Sequence, residues 1–448
     1  MRVHGVEAAT RLAWVALTAC LRLAAGAVRD RLQPRDAAAR RARRAGRIAR
    51  HLAAHLGQLK GAFAKAGQFA SVRHDLLSAE VSEALQSLQD RVPPVAFTTI
   101  RGVVESELGG PIDRFFSRFE SEPLGAASVA QVHRATLRDG SEVAVKVQYP
   151  WIAASLPSDL AILHRALRFL AWWTDRREID QDRFFREFES GLEEELDFRR
   201  EARVASEIAR NLEGEDGVVV PRIIGPLTRR RVLTMTFHDA VRLDDREALA
   251  ELGARPAEIL EILGRAYALQ VFVDGLFHAD PHPGNLFALP PGGPGGGVQV
   301  LFVDFGLSKR LEPGLRREMR HGLYAVLKRD ADEFVERMDA MSMIAPGARA
   351  RVHRAVETMF ERIAERGGAR GALGVSGSQV LALKDEAVSL LRETPGLQLP
   401  NDLLLYAKTL SYLFALGERL DPEVDLVKIT LPYLLRFLAA RDEPAPGA

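Results

Sequence analysis

Apolar positions recur at helical spacing through most of the chain and alternate in one region near its first third. Leu52, Leu56, Leu59 and Phe63 follow three- and four-residue spacings within a helical pattern from His51 to Arg91, and Pro93-Pro94 ends it. A second helical stretch runs from Thr98 to about Leu108 and is closed by Gly109-Gly110-Pro111. Between Phe115 and Val147 short β-rich runs alternate with turn signals, and Asp139-Gly140 predicts a hairpin. From Ser158 onward long helical segments are expected, broken by β-like stretches at Gly217 to Ile224 and Arg231 to Phe237. Leu286 to Leu289 and Val298 to Val303 predict two strands that pair across Pro290 to Gly297, a run of only proline and glycine. The stretch from Glu312 to Leu438 reads as nearly all helical, and no internal repeat is visible.

Near the N-terminus the longest apolar run, Leu12 to Leu21, is stopped by Arg22. It falls short of the roughly 18 to 20 residues a spanning helix needs, so no transmembrane helix is predicted there. A signal peptide is the alternative, because Arg2 and Arg11 precede the apolar core and Ala25-Gly26-Ala27 resembles a cleavage site, although a densely basic segment follows. At the other end Leu426 to Ala440 is apolar but interrupted by Lys428, Pro432 and Arg436, which predicts a packed terminal helix before a frayed tail.

The composition, 448 residues with 47% hydrophobic and 27% charged, is that of an ordinary globular protein. It leaves room for two or three domains, or for one large two-lobed enzyme with extensions. The single cysteine, Cys20, excludes an intramolecular disulfide, and no Cys/His cluster has zinc spacing, which points to a reducing compartment. The net charge of +1 hides an asymmetry: residues 31–50 hold eight arginines against Asp36, a local +7, while the other 428 residues carry −6. Such a helix suits an anionic membrane surface, where each Lys or Arg contributes about 1 kcal/mol. A solvated charged helix is the competing reading. No nucleic acid is expected as partner, since no aromatic residues interleave the arginines.

Four sites in the middle of the chain fit one mechanism in order. In Glu142-Val143-Ala144-Val145-Lys146-Val147 the valines alternate onto one face and leave Ala144 and Lys146 on the other. An inward lysine is destabilising unless it meets an anion, and V-A-V-K matches the kinase strand whose lysine pairs with nucleotide phosphates. Taken alone, the pattern equally describes a strand with a snorkelling surface lysine. In His278-Ala279-Asp280-Pro281-His282-Pro283-Gly284-Asn285 the Asp and Asn stand five residues apart, the spacing of a kinase catalytic loop. There the Asp orients the attacking hydroxyl and the Asn ligates Mg²⁺, and the prolines and glycine here restrict the backbone so that both side chains can converge. Val300 to Val303 leads into Asp304-Phe305-Gly306, the D-F-G whose Asp holds Mg²⁺, nineteen residues after Asn285. An acidic partner for Lys146 must come from a later helix, and Glu193 to Glu201 supplies candidates. Where G-x-G-x-x-G would cover the phosphates, this chain has Pro123 to His133, with alanines that restrict the backbone.

Together these residues resemble the UbiB family of atypical kinases, also called the aarF-domain family, over roughly residues 45–435. The resemblance rests on Lys65-Ala66-Gly67-Gln68, matching K-x-G-Q; Gly125-Ala126-Ala127-Ser128; Lys146; Glu195-Leu196-Asp197 followed by Glu201; the H-A-D-P-H-P-G-N loop; and D-F-G. It implies an α+β, protein-kinase-like two-lobed fold with an N-terminal helical extension packed over the active site, and ATP or ADP with Mg²⁺ as cofactors. By that implication Asp280 and Lys146 are catalytic, and Asn285 and Asp304 hold the metal. Gly125, Ala126, Ala127, Ser128, Val129, Ala144, Glu201, Met235 and Phe237 would join Lys146 in binding nucleotide, with Glu201 pairing with Lys146 and Met235 to Phe237 as the hinge facing adenine. Lys65 and Gln68, which share a helix face at i, i+3, would occupy the space of a protein substrate and favour ATPase activity. Glu195 and Asp197 would help the extension hold the site or bind metal. Two departures stand out: Gly125 replaces the alanine common at that position, and Ser308-Lys309 leaves no activation segment before a helix near Pro313.

The expected division is an apolar then Arg-rich segment at 1–50, the helical extension at 51–112, an N-lobe at 113–237, a C-lobe at 238–440 and a tail at 441–448. The expected function is an atypical kinase-like protein that binds Mg-nucleotide and hydrolyses ATP, cytoplasmic and peripheral at a membrane, beside quinone-biosynthesis or lipid enzymes. Its role in isoprenoid quinone (ubiquinone-like) biosynthesis or lipid handling follows from resemblance alone. A true kinase for a small molecule, lipid or protein, and a non-catalytic nucleotide-gated scaffold, are the alternatives.

Overall fold

The computed structural model describes Lys65, residues 94–174, 181–291, 296–367, Leu390 and residues 393–440. The expectations for residues 1–50, for Gln68 and for the tail 441–448 lie outside the described residues, as does all but Lys65 of the K-x-G-Q helix.

The first helix, α1 (Phe97–Leu108), buries Ile100, Val103 and Val104 and stops at Gly109, whose φ of 74° a residue with a Cβ adopts only at a cost. The alternating region forms β1 (Phe116–Ala126), β2 (Ala130–Leu137) and β3 (Glu142–Gln148), with Asp139-Gly140 in the turn between the last two. Val143, Val145 and Val147 are fully buried, so the alternation read from the sequence is realised in space. The helix α2 (Ile152–Thr174) begins before Ser158 and contains Pro157 at its sixth position, where proline supplies no N–H for the Ala153 carbonyl. Next come α3 (Gln181–Glu195) and α4 (Phe198–Asn211). Of the β-like stretch 217–224 only β4 (Val218–Val219) is a strand, since Gly217 at φ 82° and Pro221 bracket it. The second such stretch becomes β5 (Val232–Thr236).

The chain divides into two compact units, Met1–Arg199 with Ile224–Phe237 and Arg200–Ile223 with His238–Ala448. The first is built on an antiparallel sheet in the order β1-β2-β3-β5. Helix α1 packs against β3 and β5, and the Glu107 carboxylate accepts from Arg231 N and Nε at 3.1 and 2.9 Å.

The second unit contains β6 (Val241–Arg242), β7 (Leu276–Phe277), β8 (Leu286–Leu289), β9 (Gln299–Phe302) and β10 (Lys309–Arg310). β8 and β9 pair antiparallel from Leu286↔Phe302 to Leu289↔Gln299, across the proline- and glycine-rich segment as predicted. They lie in a sheet of order β4-β9-β8-β6, while β7 pairs with β10. The helices are α5 (Arg246–Glu251), α6 (Pro256–Ala268), α7 (Pro313–Lys328), α8 (Ala331–Ala340), α9 (Arg349–Gly367), α10 (Asn401–Leu420) and α11 (Leu426–Ala439). Ile259, Leu263 and Tyr267 of α6 pack with Leu286, Val300, Phe302 and Leu413 in the main core. Ala205, Ile208 and Leu212 of α4 join the same core. That burial is why Arg200–Ile223 belongs to the second unit, whereas the sequence pattern assigned 113–237 to one lobe. No helix among the described residues is long and apolar enough to cross a membrane.

Candidate functional site

In the second unit the segment His278 to Asn285 leaves β7 and enters β8. His282 N donates to the Asp280 carbonyl (2.7 Å), Asn285 N to the His282 carbonyl (2.8 Å), and Gly284 N to His282 Nδ1 (3.1 Å). These turns bring the two polar side chains together: Asn285 Nδ2 donates to Asp280 Oδ2 and to the Asp280 carbonyl, each at 3.1 Å. With its nitrogen committed, Asn285 keeps Oδ1 as its remaining acceptor.

The D-F-G segment reaches the same network through the backbone, since Val303 N donates to the Asn285 carbonyl at 3.0 Å. Asp304 is left-handed, φ 61° and ψ 75°, a conformation that costs a non-glycine residue about 1–2 kcal/mol. Its Oδ1 faces Gly306 N at 3.4 Å. His278, only 1% exposed, holds that backbone: its Nε2 lies 3.1 and 3.0 Å from the Val303 and Asp304 carbonyls. Carbonyls only accept, so Nε2 carries the proton and Nδ1 accepts from the Tyr267 hydroxyl at 3.2 Å. Burial pushes the imidazole below its ordinary pKa, in keeping with this neutral form. Phe305 packs edge-on against the ring at 5.3 Å and 87°.

The Asn285 amide oxygen and the Asp304 carboxylate make an all-oxygen pair that fits Mg²⁺, which takes one or two protein ligands and completes its octahedron with phosphate and water. Among the described residues no group of three or more His, Cys, Asp or Glu could hold a metal on its own.

Sequence reading missed two residues of this network, Tyr267 and Lys408. Lys408, on α10, places Nζ 2.8 Å from Asp280 Oδ1. Burial works to raise the Asp280 carboxyl, but the Lys408 ammonium outweighs it and holds the group below the usual carboxylate range. The only signal for Lys408 in the sequence is a single cation in the apolar run Leu403 to Leu416.

The first unit carries the other expected residues except Glu201. Lys146 is 7% exposed, which excludes the surface-snorkelling alternative, and its Nζ lies 5.4 Å from the Phe198 ring centroid. Ala144 is the cross-strand neighbour of Met235, so β3 and β5 bring two expected nucleotide-binding residues side by side. Phe237 follows directly, with its N–H on the Glu142 carbonyl at 3.0 Å and its ring under the Arg134 guanidinium at 4.4 Å. The loop between β1 and β2 is closed by Ala127 N donating to the Ala130 carbonyl at 2.8 Å. Ser128 and Val129 in it are buried, while Gly125 and Ala126 pair with Val132 and Gln131. Lys65 forms an ion pair with Glu195, both side chains largely buried. Asp197 accepts from Arg199 N and Nε at 3.1 Å each, which caps α4. In the second unit Glu201, in the first turn of α4, is 3% exposed.

A family model for the ABC1 atypical kinase-like domain matches residues 87–338. Three relatives align over most of the chain. The uncharacterized protein sll1770 of Synechocystis sp. is 30% identical over 402 residues, which covers 88% of this chain and 65% of that protein. The protein named "Probable protein kinase UbiB" of Marinobacter nauticus is 32% identical over 395 residues, 87% of this chain and 70% of that one. Protein ACTIVITY OF BC1 COMPLEX KINASE 8, chloroplastic, of Arabidopsis thaliana is 30% identical over 421 residues, 88% and 54% respectively. The chain thus spans between 54% and 70% of the lengths of these three relatives. Its fold is the two-lobed α+β fold of kinase-like proteins. The chain belongs to the ABC1 atypical kinase-like family, among relatives that carry the UbiB name.

Proposed function

We propose that this protein binds a Mg²⁺–adenine nucleotide and passes its terminal phosphoryl group to water, in support of isoprenoid quinone (ubiquinone-like) biosynthesis or membrane lipid handling. The observation that carries the reading is the network in which His278 grips the carbonyl of left-handed Asp304 while Asn285 is pinned to Asp280. Strained backbone held by buried partners is a mark of a preorganised site. Bound Mg²⁺ would neutralise charge on the β- and γ-phosphates, and Asn285 and Asp304 are the residues to hold it. Lys146 would hold the α- and β-phosphates, the Gly125 to Val129 turn would cover them, and Ala144 and Met235 would give the base an apolar wall with Phe237 beyond it. Asp280, kept ionised beside Lys408, would orient the attacking oxygen.

Water rather than a protein is the favoured acceptor because Lys65, which the family resemblance sets in the space of a protein substrate, is tied to Glu195. The quinone or lipid role is supported by kinship with UbiB-named relatives, and a peripheral membrane position by the +7 charge of residues 31–50.

The test is turnover of γ-labelled ATP with Mg²⁺, with and without anionic vesicles. Label released to water supports the reading; label in a small molecule, lipid or protein makes the protein a true kinase. Nucleotide bound without either product would make it a scaffold. Asp304→Asn is expected to abolish Mg²⁺-dependent turnover and metal-dependent thermal stabilisation, and undiminished turnover in that variant refutes the assignment.

A further inference from the structure

We infer that Lys408 is a positioning residue for phosphoryl transfer, acting through Asp280, and that α10 is thereby a working part of the site. The inference rests on the nucleotide reading above. The loop His278 to Asn285 contains no lysine or arginine, and its Asp280 stands in the field of a second carboxylate, Asp304. The cation comes instead from 128 residues downstream, with Nζ 2.8 Å from Asp280 Oδ1 and the Lys408 side chain 11% exposed. One turn further along α10, Tyr412 places its ring centroid 5.4 Å from the same ammonium.

Both Asp280 oxygens are then engaged, Oδ1 by Lys408 and Oδ2 by Asn285. A carboxylate gripped by two donors from different sides cannot rotate about its terminal bond, so its direction toward an acceptor hydroxyl is set before substrate arrives. The rest of α10 is seated on the same structure. Leu405 packs with Phe277, Ala279 and Leu311, and the Tyr406 ring meets Phe277 edge-on at 6.2 Å and 90°. Asp402 lies 3.7 Å from Lys309, just after the D-F-G segment. One helix therefore contacts the chain before the loop, the loop and the chain beyond D-F-G. Stability alone does not account for the pair, because a largely buried ion pair is often no better than apolar packing of similar volume.

In the step itself the acceptor oxygen held by Asp280 forms a bond to the γ-phosphorus. The bond from that phosphorus to the bridging oxygen breaks, its electron pair leaves on ADP, and the acceptor proton departs with the phosphate product or to solvent. Lys408 makes no bond in this sequence; it fixes the orienting group.

The experiment is a double-mutant cycle on the full chain in the Mg²⁺–ATP turnover assay, with nucleotide affinity and melting measured for every variant. Lys408→Met keeps the methylene stem and removes the charge. It is expected to lower kcat about ten- to a hundredfold, with far less change in KM for nucleotide. Lys408→Arg, which restores a cation, is expected to recover part of that loss. In an Asp280→Asn background Lys408→Met is expected to cause no further loss, because its partner is already gone. That background also leaves no unpaired carboxylate, so it decides the question if Lys408→Met alone does not fold. Wild-type kcat in Lys408→Met, or losses that multiply in the cycle, overturn the inference while leaving the nucleotide reading intact. A wild-type protein that neither hydrolyses nor transfers phosphate overturns both.

Discussion

His278 provides a direct test of how this site is held. His278→Phe keeps an aromatic ring beside Phe305 and Phe302, which lie 5.3 and 6.2 Å from it, and removes both nitrogens. The hydroxyl of buried Tyr267 and the carbonyl of Asp304 then lose a partner. At about 1–3 kcal/mol for each buried polar group left unsatisfied, the loss is about 2–6 kcal/mol. Relaxation of the left-handed Asp304 backbone returns about 1–2 kcal/mol, so mid-range values leave a net destabilisation of about 2–3 kcal/mol. In a unit of this size each kcal/mol lowers the melting temperature by about 2–4 °C, which puts the expected drop at about 4–12 °C. The functional effect should exceed the structural one: once Asp304 is free to leave its conformation, Mg²⁺-dependent turnover should fall about ten- to a hundredfold even well below the melting temperature. Calorimetry and γ-phosphate release, measured on the same preparation, check both numbers. A His278→Phe protein that melts and turns over as the wild type does would refute the claim that the imidazole holds the D-F-G segment.

Two further outcomes are expected. Gly125 has an ordinary φ and no atom within 4 Å of where a Cβ would stand, so Gly125→Ala should fold with unchanged or higher stability, by up to about 1 kcal/mol; a lower melting temperature contradicts this, and competition between ATP and ADP then reads whether a stiffer loop alters nucleotide preference. Co-sedimentation with anionic vesicles should weaken with salt and on deletion of residues 31–50, and equal binding by the truncated chain would place the membrane contact elsewhere.

What the sequence made legible divides along a physical line. Asp139-Gly140, the Val143, Val145 and Val147 alternation and the pairing of Leu286–Leu289 with the strand before D-F-G are short-range patterns, and each appears in the fold as read. So does the approach of Asn285 to Asp280, because two prolines leave a five-residue span few ways to run. The period of an apolar helix face says only that residues such as Ala205, Ile208 and Leu212 of α4 are buried, not against which core. The placement of Arg200–Ile223 therefore had to come from the structure.

Lys408 falls on the far side of that line for a reason of charge. Asp280 and Asp304 are brought close when β9 returns beside β8, and two neighbouring carboxylates in a half-buried site call for a cation that the loop does not contain. A deficit of this kind can be seen in the sequence: His278 to Asn285 offers anionic and neutral ligands and no permanent positive charge. Its remedy cannot, because a lysine 128 residues away becomes relevant only once α10 has packed Leu405 against Phe277. The burial of His278 has the same origin. Its place two residues before Asp280 is a matter of spacing, but its work, holding Asp304 in a left-handed turn, depends on β9 returning beside β8. Motif spacing thus encodes the groups that the His278 to Asn285 loop presents, and tertiary packing supplies the charge and the constraint that hold those groups in place.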